Sequence, residues 1–341
     1  MKTDLVEYES TADYPEIADL INRASNIILT THRKPDGDAI GSVVALYRGL
    51  KSIGKEVGIV LVGPLEHGLR LITDDVPMRL VEESGLPEDE PDLIIVADTG
   101  AWSQLESLGS WIKERRSKVI GLDHHANGDD VAPVRIVDTT AAACTQVILA
   151  LFEEMNISLG SGQRSIAEAL FVGLSTDTGW FRFANADARC FSDASKLLEH
   201  NIDRYFIYRT LEETARPARM ELLQRMLGSI NYVGSVAIMS LRGKDFIETN
   251  GSSVDIVGLV NTPMVLGQVQ ASILLTDNDP KVTKMSFRSK PGMPNEPTTL
   301  IDVNKLANEF GGGGHVHAAG AKVFSTLEEV ETKLIKLLRE I

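Results

Sequence analysis

The tightest constraint on this chain is a repeated pattern in which a short apolar run ends directly in an acid or an imidazole. Asn26-Ile27-Ile28-Leu29-Thr30-Thr31 runs into His32, Asp92-Leu93-Ile94-Ile95-Val96-Ala97 into Asp98, and Lys118-Val119-Ile120-Gly121-Leu122 into Asp123-His124-His125. Runs that are apolar at consecutive positions suit strands of a parallel sheet covered on both faces. Segments with helical spacing, such as Tyr14–Ala24 and Ala39–Tyr47, lie between or beside them. The pattern therefore predicts an α/β fold with an N-terminal parallel sheet, and chemistry in such sheets collects beyond the C-terminal strand ends. An Asp at the end of a buried strand is costly unless it is hydrogen bonded or holds a cation.

The loop after the first run, His32-Arg33-Lys34-Pro35-Asp36-Gly37-Asp38-Ala39-Ile40-Gly41-Ser42, presents a His and two Asp at the start of a helix. Pro35 and Gly37 shape the turn. Asp38 as a helix cap is the purely structural alternative. Further strands are expected at Glu56–Val62, Met78–Val81 and Val134–Asp138, and helices at Thr139–Phe152, Ser165–Leu174 and Ala188–His200. Asp177 falls in a Thr/Gly-lined break after the second of these helices, and the aromatics beside it read as wall packing. The acidic residues between Asp74 and Asp92 read as solvated surface.

The organisation changes after about residue 200. The expected domains are residues 1–200, a partly helical connector at 201–225, and a smaller mixed α/β domain at 226–341. Its strands are Ser235–Leu241, Gly267–Thr276 and Val282–Ser289, the last two joined by a turn at Asp277–Lys281, with a helical stretch at Asp255–Val260. A helix at Asp302–Phe310 stops at Gly311-Gly312-Gly313-Gly314-His315. One Gly suffices to end a helix. Four in a row suggest a loop whose amides meet an anion, with His315 as a donor beside it.

Charge and cysteine usage narrow the function. A net charge of -14 over 341 residues, with pI ≈ 5.0, argues against a long nucleic-acid track, which draws on many Lys and Arg. The two Cys imply neither a disulfide framework nor a thiolate metal site, and no secretory leader or run of about 18 apolar residues is present, so a cytoplasmic, non-membrane protein is expected. No Gly-x-Gly-x-x-Gly follows the first strand and no Gly-Lys-Ser/Thr loop occurs. Asp and His without Cys favour Mn²⁺ or Mg²⁺ over structural Zn²⁺.

In combination, the His32–Ser42 loop, Asp98, Asp123-His124-His125, Asp177, and Gly311–His315 with Ala318-Ala319-Gly320 resemble the DHH/DHHA1 phosphoesterases. The likeness is closest to the bacterial bifunctional oligoribonuclease and 3′-phosphoadenosine 5′-phosphate phosphatase branch, and it spans about residues 25 to 325. The resemblance implies two Mn²⁺ ions, with Mg²⁺ as the alternative. His32, Asp36 and Asp98 would hold one; Asp38, Asp98, His124 and Asp177 would hold the other, with Asp98 bridging. It implies catalytic roles for Asp98, His125 and Asp123, the last orienting the motif. His125, Arg288, Gly313, Gly314 and His315 would contact substrate phosphate. The implied substrates are short oligoribonucleotides and adenosine 3′,5′-bisphosphate; a cleft between the domains is the expected basis for preferring short ones, and a homodimer is the oligomer considered.

Overall fold

The computed structural model describes residues 8–279, 281–291 and 301–340. In the N-terminal half, the apolar runs become β1 (Asn26–Thr30), β2 (Glu56–Leu61), β3 (Met78–Leu80), β4 (Leu93–Ala97), β5 (Val119–Asp123) and β6 (Val134–Val137). They form one sheet in the order β3-β2-β1-β4-β5-β6, with every pairing parallel. The order reverses between β1 and β4, and at such a switch point the loops leaving the two strands diverge and open a crevice.

Consecutive apolar residues are needed because both faces are covered. In β4, Ile95 and Ala97 join the core beneath one layer of helices, while Ile94 and Val96 join a second core with Leu105, Leu108 and Ile112. The helices are α1 (Tyr14–Arg23), α2 (Gly37–Ser52), α3 (His67–Ile72), α4 (Val81–Ser84), α5 (Leu108–Glu114), α6 (Cys144–Glu154), α7 (Ile166–Asp177), α8 (Ala188–Leu198) and α9 (Arg204–Glu212). Both cysteines are free and buried.

The chain divides into two units, Met1–Thr214 and Ala215–Ile341. The second contains α10 (Pro217–Gly228), β7 (Asn231–Val233), β8 (Val236–Leu241), α11 (Gly243–Glu248), β9 (Ala271–Asp279), β10 (Val282–Ser289), α12 (Val303–Asn308), β11 (Gly313–His315), β12 (Ala318–Val323) and α13 (Leu327–Glu340). Its sheet runs β11-β12-β10-β9-β8-β7 and is mixed, since β8 and β9 are parallel and the other pairs antiparallel. The protein is thus a two-domain α/β structure with a parallel N-terminal sheet and a smaller mixed C-terminal one.

Several expected elements are corrected. The helix expected from Thr139 starts at Cys144, and the helix expected to end at Leu174 runs on to Asp177. The Asp255–Val260 helix is a series of turns followed by a 3-10 helix at Leu259–Val265, because Gly258 turns left-handed at φ 78°. The glycine run is not an open loop, since Gly313–His315 is a strand. The expected turn at Asp277–Lys281 includes Pro280, which lies outside the described residues.

In the second unit, Arg216 donates from Nε to Asp255 Oδ1 at 3.0 Å, and the Ser252 amide donates to Asp255 Oδ2 at 2.8 Å. Arg216 is the main reason the Asp255 carboxyl is held down at about 2, with Ser252 adding to it. A folded pKa below the unfolded value contributes stability that is complete above about pH 4 and lost as pH falls through the folded value. Arg216→Ala should therefore lower Tm by about 2–4 °C at pH 7, a modest effect because the guanidinium is half exposed. The deficit should shrink steadily below about pH 4. A deficit equally large at pH 3 and pH 7 would contradict this.

Candidate metal centre

Each site residue is placed by a local rule. Asp36 is the N-cap of α2, its Oδ1 accepting from the amides of Asp38 and Ala39, both at 3.1 Å. Capping therefore falls to Asp36 rather than Asp38. Asp38 lies inside the helix, 1% exposed, and accepts from the Cys144 amide at 2.6 Å and the Thr145 amide at 3.1 Å. These amides open α6, so Asp38 rests on a helix N-terminus. Asp177 closes α7.

α2 and α7 approach closely because glycine faces glycine: a Cβ on Gly41 would lie 2.5 Å from Ala169 O and 2.8 Å from Gly173 N. A Cβ on Gly173 would lie 2.5 Å from Asp38 Oδ1.

Asp98 follows β4 directly, is 3% exposed, and adopts φ 61°, a left-handed conformation uncommon outside glycine. His32 Nε2 lies 3.7 Å from Asp36 Oδ1 and 3.5 Å from Asp98 Oδ2. His124 Nε2 lies 3.8 Å from Asp38 Oδ2, 3.4 Å from Asp98 Oδ1 and 3.7 Å from Asp177 Oδ2. The opposite ring nitrogens are engaged by backbone carbonyls, His32 Nδ1 with Arg33 O at 3.0 Å and His124 Nδ1 with Ala141 O at 3.2 Å. A donating Nδ1 leaves Nε2 available as a ligand, the usual way a metal-binding imidazole is oriented.

The electrostatics ask for a cation. Asp38 is raised well above the usual carboxyl range by burial and by the charges of Asp98 and Asp177, and Asp177 is raised to about 6 by burial, with His124 opposing and Asp98 adding. Burial opposes charging of His32 and His124, yet their carboxylate neighbours prevail and raise them to about 11 and about 10. Asp98 Oδ1 is buried without a hydrogen-bond partner. An orphaned carboxylate oxygen among nitrogen and oxygen donors fits a divalent ion. Three overlapping groups qualify: His32, Asp36, Asp98; Asp38, His124, Asp177; and Asp98, His124, His125, each with ligand atoms within 4.8 Å of one another.

Asp123 ends β5 and is fully buried. Its Oδ1 accepts from the His124 amide at 2.8 Å and meets His125 Nδ1 at 2.7 Å; its Oδ2 accepts from Tyr8 Oη at 2.8 Å. Burial opposes its ionisation, but the His125 and Tyr8 donors outweigh this and hold the carboxyl below the usual range. His125 is raised, first by its hydrogen bond to Asp123, and is about half exposed.

In the second unit, the register places His315 opposite Ala318, and Ala318 opposite Arg288. Arg288 and His315 therefore share one sheet face, two strand spacings or about 10 Å apart, with only a methyl between them. Arg288 is half buried and donates from Nη1 to Phe287 O at 2.8 Å; among the described residues no carboxylate pairs with it. Burial alone lowers its pKa. Gly314 is required by the close approach of β12, since a Cβ there would lie 2.4 Å from Ala318 O, whereas one on Gly313 would make only ordinary contacts, 3.7 Å from Asn308 Oδ1 and 3.8 Å from Asn304 Oδ1.

Sequence reasoning misses Tyr8, the Ala141 carbonyl and the α6 amides. Each is distant in the chain from the group it holds, and no local spacing signals it.

The fold and site define an α/β protein with a candidate metal centre: a parallel sheet carrying clustered carboxylates and imidazoles beyond its strand ends. Residues 26–174 match the model of the DHH family, N-terminal domain, and the chain carries a DHH-family phosphoesterase domain. It is 29% identical over 318 residues to the bifunctional oligoribonuclease and PAP phosphatase NrnA of Thermus thermophilus, covering 92% of this chain and 89% of that one. It is 27% identical over 331 residues to the protein of the same name from Bacillus subtilis, covering 95% and 94%. The crystal structure of an exopolyphosphatase-related protein from Bacteroides fragilis matches with TM-score 0.86 and 26% identity, covering 98% of both chains. Among the described residues, no helix is long and apolar enough to cross a membrane.

Proposed function

We propose that the chain is a Mn²⁺-dependent phosphoesterase that hydrolyses short oligoribonucleotides to mononucleotides and removes the 3′-phosphate of adenosine 3′,5′-bisphosphate. The carrying observation is the buried Asp98 carboxylate, shared by two of the His/Asp groups and left with an unpartnered oxygen. Support for the substrates comes from the two bifunctional relatives, each spanned for about nine-tenths of its length.

In this reading His32, Asp36 and Asp98 hold one ion, and Asp38, Asp98, His124 and Asp177 hold the other. Divalent ions in such a site neutralise charge on phosphoryl oxygens and make water acidic enough to attack at neutral pH. Asp98 keeps the two groups in register through its short backbone link to β5, its amide donating to Leu122 O at 2.9 Å. His125 donates its Nδ1–H to Asp123, which favours the doubly protonated ring, and in that form the half-exposed imidazolium offers Nε2–H to a phosphate oxygen. Arg288 binds phosphate as a forked donor, with His315 and the Gly313-Gly314 backbone beside it. A cation without a carboxylate partner suits an anionic ligand.

Purified protein in Mn²⁺ buffer, offered a dinucleotide RNA, adenosine 3′,5′-bisphosphate, a cyclic dinucleotide and pyrophosphate in parallel, decides the substrate. Turnover of the first two is expected; turnover of neither rejects the reading. A long RNA strand should be a poor substrate, since a chain of net charge -14 lacks the cations for an extended track. Arg288→Ala should raise KM about tenfold or more and leave Mn²⁺ affinity unchanged. Loss of metal would contradict its phosphate role.

A further inference from the structure

We propose that Tyr8, which precedes the family-matched residues, is a positioning residue for the phosphoesterase reaction, acting through Asp123 on His125. The inference rests on the proposed role of His125 as a phosphate contact.

Tyr8 arrives at the site by a built route. The segment before α1 clips onto the outer edge of β6: the Thr11 amide donates to Arg135 O at 2.9 Å, the Arg135 amide to Thr11 Oγ1 at 2.9 Å, and the Val137 amide to Ser10 Oγ at 2.8 Å. The clip occupies backbone groups that an edge strand would otherwise leave open. Arg135 Nε donates to Glu9 O at 2.9 Å, and its guanidinium lies 5.3 Å from the centre of the Tyr8 ring. The ring fills a slot between two glycines: a Cβ on Gly100 would lie 2.1 Å from Tyr8 Oη, and one on Gly128 would lie 2.6 Å from Tyr8 Cε2. Gly100 follows two residues after Asp98, and Gly128 three after His125. Any side chain at either position would displace the ring.

The hydroxyl has one evident task. The Asp123 carboxylate is fully buried, with Oδ1 taken by His124 N, His125 N and His125 Nδ1. Tyr8 Oη is the only donor to Oδ2 among the described residues. It therefore locks the carboxylate rotation that keeps His125 Nδ1 bound and Nε2 outward. Burial and the Asp123 charge push the Tyr8 pKa up, so the hydroxyl remains a proton donor.

The test is a double-mutant cycle on the full chain with Tyr8→Phe, His125→Ala and the pair, read as kcat/KM on a dinucleotide RNA and as AMP affinity by calorimetry in Mn²⁺ buffer. Tyr8→Phe keeps the ring in its slot and should cost about tenfold in kcat/KM and several-fold in AMP affinity, the scale of losses for groups that orient a site from behind. Mn²⁺ affinity should stay within about twofold. In the His125→Ala background the same substitution should cost almost nothing, because its route is gone. Full additivity, or wild-type behaviour of Tyr8→Phe, overturns the proposal. If Tyr8→Phe fails to fold, Gly128→Ala displaces the ring and must then show the same non-additivity with His125→Ala. A wild-type protein that binds AMP but cleaves neither RNA nor the bisphosphate would defeat the functional reading, while the AMP cycle still decides the role of Tyr8.

Discussion

Asp98→Ala is expected to lower kcat by about 10³-fold or more while leaving the fold intact. Asp98 is buried, its charge pushes the carboxyls of Asp38 and Asp177 up, and its Oδ1 lacks a hydrogen bond. Without a metal ion the crowding of carboxylates is a cost, offset in part by the charged His32 and His124 imidazoles beside Asp98. With a cation the same carboxylate is shared by two ligand groups, and a loss of several kcal/mol of transition-state stabilisation corresponds to that rate factor. Mn²⁺ should raise the wild-type Tm far more than that of the variant. Activity within tenfold of wild type would remove Asp98 from the centre of the site.

Gly41→Ala is expected to cost about 1–3 kcal/mol or more in stability and to weaken Mn²⁺ binding about tenfold or more. Helix propensity alone would favour Ala by about 1 kcal/mol. The steric term wins because the new methyl meets backbone atoms of α7, Ala169 O at 2.5 Å and Gly173 N at 2.8 Å, which have no rotamer to change. Relief requires α2 and α7 to separate, and these helices carry Asp38 and Asp177. Gly228→Ala, at the end of α10 with nothing within 4 Å of where its methyl would stand, is the control and should be neutral or slightly stabilising. Equal behaviour of the two variants in denaturation and metal titration would show that the helix contact does not hold the site.

Much of the fold is legible in the sequence because its signals are local. A strand buried on both faces needs consecutive apolar residues, so β1, β4 and β5 declare themselves, and the groups that follow them have to emerge at one sheet edge. The start of α6 departs from expectation for a complementary reason. Thr139–Ala143 has helix-compatible composition, but helical structure begins only at Cys144, where Asp38 from another element accepts the first amides. The end of α7 runs past the Ser/Thr break, and Thr176 and the C-cap Thr178 return their hydroxyls to helix carbonyls, to Val172 O at 2.8 Å and Leu174 O at 2.7 Å. The glycine run suggests an open loop, whereas pairing with β12 explains Gly312 and Gly314, whose added Cβ atoms would meet Gly320 O at 2.2 Å and Ala318 O at 2.4 Å.

By itself the sequence determined which residues could do the chemistry: His, Asp and Arg at strand ends and turns, in an acidic chain with two cysteines and no dinucleotide or P-loop motif. Residue type and short-range spacing carry that information, because donor chemistry and strand or helix period are properties of neighbours in the chain. Only the tertiary structure decided how they are used. It let His124 reach Asp38, Asp98 and Asp177 together, left Asp98 Oδ1 without a partner, and brought Tyr8 across 115 residues to Asp123. Those relations depend on sheet order and helix packing, which bring distant segments within a few ångströms and leave no local trace in either one.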